Sequence, residues 1–339
     1  MTKQRQSNIE LLRIIATAMV LMLHFNTHGL YPDALAACPE FSRFTLRGNL
    51  IEAFSIAAVN VFVLISGYFA IKLSVKSVLN LYIRCLIIGL FTYLAYIALS
   101  GEAISLSAIG GRLMAFTHNH WWFVISYLGL MAISPVLNAG CKALDKRTYQ
   151  YVLLLLSVAM LYFGWWKYLE ITEGGYSLIH FIYLYIIARY IRLHVNESTI
   201  QHYRWLWLAN FISTCIFIMV LQFVASRSMY TYDNPLAITA AVSLLLFFLS
   251  IPFQNRFVNW AAASVFSAYL IQESPYLGKM WLYPRSMEMF ANDVCGGGAI
   301  LFVVFTIATL VISVAVDQIC VMPVIKWSNK LLEKYTCKK

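Results

Sequence analysis

The chemistry this sequence could perform is concentrated in four polar residues of its first apolar run. Glu10, Arg13, Thr17 and His24 interrupt the stretch 9–25. Arg13 and His24 are eleven residues apart, and eleven steps of about 100° return a helix to nearly the same face. At 1.5 Å per residue the two groups then stand roughly 16 Å apart along the axis. Thr17 lies one turn above Arg13 on that face, and Glu10 lies one turn below it. An ionisable group at membrane depth costs at least ~2.5–3.5 kcal/mol on insertion scales, so its presence implies a partner or a function. An imidazole with an unperturbed pKa of ~6.5 is suited to take a proton from a hydroxyl near neutral pH. The plainer alternative is an Arg13–Glu10 pair reaching back to the interface and a histidine at the opposite rim. The residues by themselves leave both readings open.

Other polar residues fall where apolar runs should exclude them. The second run holds Asn60 and ends in Ser66-Gly67-Tyr68. Asn60 and Gly67 share a helix face, since seven residues make almost two turns, and a glycine there permits close approach of another helix or of a ligand. In the third run Ser77, Asn80 and Arg84 line one face, with Arg84 roughly 10 Å further in than Ser77. An arginine at that depth calls for a carboxylate, Glu10 or Asp317, or for an anionic ligand. His118 and His120 precede Trp121-Trp122-Phe123. At i and i+2 they do not share a helix face, and no third ligand type clusters with them, so no metal site is expected. A wet vestibule beside His24, using one of these histidines and Trp122, suits them better. Near the end of the ninth run, Tyr269, Gln272 and Glu273 place an amide and an acid at similar depth. The sequence holds no nucleotide-binding Gly loop, no GxSxG and no HExxH.

The elements that must position these groups follow from composition. Of 339 residues, 61% are hydrophobic and only 12% are charged, where a soluble domain carries about 25% charged residues. A soluble enzyme, a nucleic-acid binder and a disordered protein are excluded; an all-α, polytopic membrane bundle is expected. Ten apolar segments are read at 9–26, 51–70, 77–99, 121–139, 150–166, 176–193, 204–225, 235–253, 259–277 and 297–320. Lys and Arg concentrate on the side of the N-terminus, which predicts both termini in the cytoplasm and explains the net charge of +10 as topology rather than nucleic-acid binding. The tryptophans flanking these runs read as interfacial anchors. Residues 1–25 resemble a signal peptide and Leu35-Ala36-Ala37-Cys38 a lipoprotein box. Glu10 and Arg13 inside the apolar run and the polar stretch 26–33 argue for a retained first span instead. None of the seven cysteines forms a CxxC pair, and Cys38 with Cys295 is the one disulfide left open by the expected topology.

Several of these motifs together resemble the acyltransferase family 3 membrane proteins. The opening Asn8-Ile-Glu10-Leu-Leu-Arg13, followed by ten residues and His24, is similar to that family's first-span signature. Val59-Asn60-Val-Phe-Val-Leu-Ile-Ser66-Gly67-Tyr68 resembles its second-span motif, and Trp121-Trp122-Phe123 with Ser134-Pro135 resembles its fourth span. Tyr269-Leu-Ile-Gln272 stands where many members read Tyr-Leu-Ile-His, so the histidine is replaced. The basic doublet after the second span is represented by Lys72 and Lys76. The resemblance spans 1–339 as a single transmembrane domain. It implies an enzyme of the bacterial inner membrane that moves an acyl group, usually acetyl, from cytoplasmic acyl-CoA to a hydroxyl of a surface polysaccharide or lipid-linked glycan. It assigns His24 as the catalytic base and Arg13, Arg84, Lys72 and Lys76 to the donor. Glu10, Thr17, Asn60, Ser66, Gly67, Tyr68, His118, His120, Trp122, Tyr269, Gln272 and Glu273 would line the pocket. Acetyl-CoA would be a substrate, with no resident cofactor, and membrane lipids would surround the bundle. A transporter of lipid-linked saccharides is the competing class, which matched pairs of broken spans would favour; a glycan polymerase would need larger outer loops.

Overall fold

The computed structural model describes residues 5–29, 43–117, 121–167, 172–286 and 299–336. Among them every regular element is helical, and no strand occurs. The α-helices are α1 (Ser7–Gly29), α2 (Arg43–Ser55), α3 (Ala58–Phe69), α4 (Val75–Ser100), α5 (Leu106–Leu113), α6 (Trp122–Ala143), α7 (Lys146–Ser157), α8 (Leu178–His194), α9 (Glu197–His202), α10 (Arg204–Val224), α11 (Pro235–Leu249), α12 (Arg256–Ala262), α13 (Phe266–Gln272), α14 (Ala299–Val316) and α15 (Met322–Thr336). Cys38, Cys295, His118 and His120 lie outside the described residues.

Seven helices among the described residues are long and apolar enough to cross a membrane. They cover Ser7–His28, Thr45–Phe69, Val75–Ser100, Trp122–Ala143, Lys146–Trp166, Arg204–Val224 and Ile300–Lys334. The protein is therefore an all-helical integral membrane protein. The other three expected runs are shorter or interrupted. α8 has 17 residues and α11 has 15, against the ~20 that span a hydrocarbon core. The run 259–277 is broken into α12 and α13 by turns at 263–265.

The chain divides into two compact units, each discontinuous in sequence. One comprises Met1–Leu23, Gly48–Leu73 and Ser126–Asn259. Its centre is the contact of α3 with α8, where Gly67 lets the backbones meet. A Cβ there would stand 2.7 Å from the Tyr185 carbonyl oxygen. α8 starts where the Ser177 hydroxyl accepts the His180 N–H, and α11 starts at an Asn234 cap followed by Pro235, whose fixed φ suits the first helical position.

The other unit comprises His24–Arg47, Ser74–Ile125 and Trp260–Lys339. α4 runs through it, started by a reciprocal Ser74–Ser77 capping box and ended by Gly101 in the left-handed region. α13, α15 and the π-helical turn Asp317–Val321 pack against α4. The continuous helical stretch Ile300–Lys334 has 35 residues. At 1.5 Å per residue it is about 52 Å long, far more than a ~30 Å hydrocarbon core, so its basic end extends beyond the span.

Candidate active site

Two elements of the second unit meet at His24. The last turns of α1 carry its ring inward, leaving the residue 7% exposed. The seven-residue α13 ends against it with Gln272, which is fully buried, and Glu273 is the residue that terminates the helix. Gln272 Oε1 lies 3.1 Å from His24 Nδ1, and Glu273 Oε1 lies 3.4 Å from the same nitrogen. Both oxygens accept, so Nδ1 carries the proton and the Nε2 lone pair is left to receive one.

A second layer holds the carboxylate. The Tyr283 hydroxyl donates to Glu273 Oε1, and Lys279 Nζ stands 3.8 Å from Oε2. Burial and the neighbouring carboxylate push the Tyr283 phenol well above its ordinary range, which keeps it a donor. The chain reaches this position through a π-helical turn, Leu277–Leu282, that folds over the end of α13. Glycine is required there, because a Cβ on Gly278 would fall 1.9 Å from the Gln272 carbonyl oxygen. Aromatic rings wall the site. The Tyr269 ring centroid is 6.2 Å from that of His24, Phe123 is 6.0 Å from Tyr269, and Trp122 stacks edge-on to Phe123. His28, one helical turn beyond His24, adds a second imidazole at 5.8 Å. The sequence reading did not single out His28 or Tyr283. His28 was recoverable, because i+4 spacing places it on the His24 face; Tyr283 had no periodic signal.

Arg84 has its partners inside the same unit. Its Nε lies 3.3 Å from Asp317 Oδ1, and its Nη1 donates to the Ala263 carbonyl at 3.1 Å. Its Nη2 contacts Met322 Sδ at 3.6 Å. Of the two carboxylates the sequence offers this arginine, Asp317 is the one that pairs with it. Lys76 pairs with Glu333 at 2.9 Å on an exposed face.

The remaining sequence candidates belong to the first unit. Arg13 donates to Glu10 at 2.6 Å and keeps a third of its side chain exposed, while the Thr17 hydroxyl bonds back to the Arg13 carbonyl. Asn60 is fully buried and bridges two segments. Its Nδ2 donates to the Tyr232 carbonyl at 2.8 Å, and its Oδ1 accepts from His180 Nε2 at 3.0 Å. Ser66 bonds to the Phe62 carbonyl and approaches Tyr127. Tyr68 takes Arg192 on its hydroxyl and its ring face. Tyr68 also lines a cavity of about 380 Å³ with Gln6, Asn8, Glu197 and Gln254. Lys72 is exposed. Asn60, Ser66 and Gly67 thus hold helices together within the first unit, whereas Tyr269, Gln272 and Glu273 gather at His24 within the second.

The fold and site together define a class: a helical membrane protein with a buried imidazole, hydrogen-bonded on one nitrogen by an amide and a carboxylate, and suited to abstract a proton from a hydroxyl. A family model described as "Acyltransferase domain" matches residues 6–317. The chain belongs to that family and is a membrane acyltransferase. No curated protein and no solved structure matches it.

Proposed function

We propose that this acyltransferase moves an acetyl group from cytoplasmic acetyl-CoA to a hydroxyl of a surface polysaccharide or lipid-linked glycan, in the bacterial cytoplasmic membrane. Ten spans with both termini cytoplasmic are part of the same reading. The observation that carries it is the pairing of His24 Nδ1 with Gln272 and Glu273. In the transfer, His24 Nε2 takes the proton of the acceptor hydroxyl while its oxygen attacks the thioester carbonyl. A C–O bond forms, the C–S bond breaks, and the proton passes from the imidazolium to the departing thiolate. Glu273 stabilises the imidazolium formed in between, and Tyr283 and Lys279 hold Glu273 in place. Gln272 supplies an amide oxygen, so it orients the ring without competing for the proton.

The donor's phosphates call for cationic partners; Arg84 suits that role poorly, because its guanidinium is engaged on three sides by protein atoms. Comparing surface glycans of a deletion strain and its parent by NMR tests the substrate assignment. Loss of ester acetyl signals is expected in the deletion strain. Identical spectra would remove the glycan as acceptor.

A further inference from the structure

The break in the ninth apolar run is stitched by three polar residues, and the short helix that follows it ends at His24. At the break, the Ser264 and Val265 carbonyls accept the Ser267 and Ala268 N–H groups, and side chains reach the carbonyls of Ala263 and Trp260. In apolar surroundings such groups are costly unless side chains satisfy them. Arg84 Nη1 donates to the Ala263 carbonyl at 3.1 Å. Gln318 Nε2 reaches the Trp260 carbonyl at 3.2 Å and the Ser264 hydroxyl at 2.9 Å.

The same linkage then grips the next helix. Asp317 is fully buried, in a π-helical turn that offsets it from the regular helix before it. Its Oδ1 takes Arg84 Nε at 3.3 Å and the Ser267 hydroxyl at 2.5 Å. Ser267 stands in the first turn of α13, and Gln272 is its last residue. The two are five residues apart, about 7.5 Å along the axis. One end of a two-turn helix is therefore held by an internal ion pair, and the other end holds the imidazole.

We propose that Arg84, Asp317 and Ser267 are positioning residues for acyl transfer: they fix the depth and rotation of α13, and thereby the Gln272 and Glu273 contacts to His24. This rests on the reading of His24 as the general base. α13 is only two turns long and is packed against α4, α14 and the π-helical turn after it, so the Ser267–Asp317 bond sets its register there and loss of that bond lets the helix shift. A shift of about 1 Å at a reacting group can cost ~10²-fold in rate. Because the linkage acts on the base through α13, its loss should lower kcat and leave the donor KM unchanged.

The test uses full-length protein purified in detergent or nanodiscs, with acetyl-CoA as donor, comparing Ser267→Ala, Ser267→Thr, Asp317→Asn and Arg84→Lys. Ser267→Ala removes one hydroxyl and is the variant expected to fold normally. The proposal expects kcat to fall roughly 10-fold in Ser267→Ala and further in Asp317→Asn, with acetyl-CoA KM within about twofold of wild type. Ser267→Thr, which keeps the hydroxyl, should restore most of the rate. Unchanged kcat in Ser267→Ala together with folded Asp317→Asn would overturn the proposal. So would an elevated acetyl-CoA KM at normal kcat in Arg84→Lys, which would return the arginine to the donor. Absence of acetyl transfer in wild type, or normal transfer in His24→Ala, would instead refute the reading on which it rests.

Discussion

Among the described residues each unit buries one histidine, and the two are treated differently. His180 in the first unit is fully buried; Asn60 Oδ1 accepts from its Nε2, and its Nδ1 has no hydrogen-bond partner among the described residues. Asn60 is itself fixed by the Tyr232 carbonyl. Everything that grips this ring is neutral. His24 in the second unit meets an amide and a carboxylate on one nitrogen, and the carboxylate is backed by Tyr283 and Lys279. A charge formed on a buried ring is costly without a counter-charge. His180 has none among its contacts and serves as a strut between α8 and α3. His24 has one and can accept a proton. Burial alone does not make a base; the carboxylate behind it does.

The largest expected effect separates the two rings. His24→Ala should reduce acyl transfer by the ~10²–10⁴-fold typical of losing a positioned base, with expression near normal. His180→Ala should leave the rate per folded molecule unchanged. It should cost about 1–3 kcal/mol of stability, because Asn60 loses its partner in a buried site. Thermal unfolding of the two purified variants beside their transfer rates checks both halves.

Next in size is the carboxylate. Glu273→Gln keeps the shape and removes the charge that stabilises the imidazolium. A fall of about 10²-fold in kcat is expected, the lower end of what such a group supplies. A wild-type rate in this variant would make Glu273 a packing residue and erase the difference between the two histidines.

The smaller effects concern structure alone. In the first unit, Gly67→Ala would push a methyl against the Tyr185 carbonyl and the Ala188 side chain, at 2.7 and 2.9 Å. The α3–α8 contact must then separate, at about 1–3 kcal/mol, read as a lower unfolding temperature. Smallest is Lys76→Ala, which removes an exposed pair with Glu333. Surface pairs contribute ~0–1 kcal/mol, so stability should change little.

How much of this was legible in the sequence depends on which interactions decide. The first helix was, because α1 is one regular element and its Glu10, Arg13, Thr17 and His24 keep the periodicity read from spacing. Gly67 was legible as a close approach, though its partner, α8, was not. The break between α12 and α13 was not legible. Ala263-Ser264-Val265 contains neither Pro nor Gly, and the break is sustained by Arg84 and Gln318 from distant segments. The partner of Arg84 stayed open between two carboxylates and a ligand, since linear sequence does not reveal which carboxylate a π-helical turn will aim at it. The role of Glu273 was half visible. Its depth matched that of Gln272, but the convergence of both on one imidazole nitrogen is tertiary. His118 and His120 lie outside the described residues, as do Cys38 and Cys295.

The claim that His24 does proton chemistry is tested most directly by replacing both buried rings with glutamine. Glutamine keeps polarity and hydrogen bonding but has no group that titrates near neutral pH. Purified His24→Gln and His180→Gln, matched for folding, would be assayed side by side for transfer of labelled acetyl from acetyl-CoA to the acceptor glycan. The account predicts that His24→Gln loses transfer by at least ~10²-fold, while His180→Gln, once folded, retains it. Full activity in His24→Gln would contradict it, leaving His24 as a ring that only packs and hydrogen-bonds.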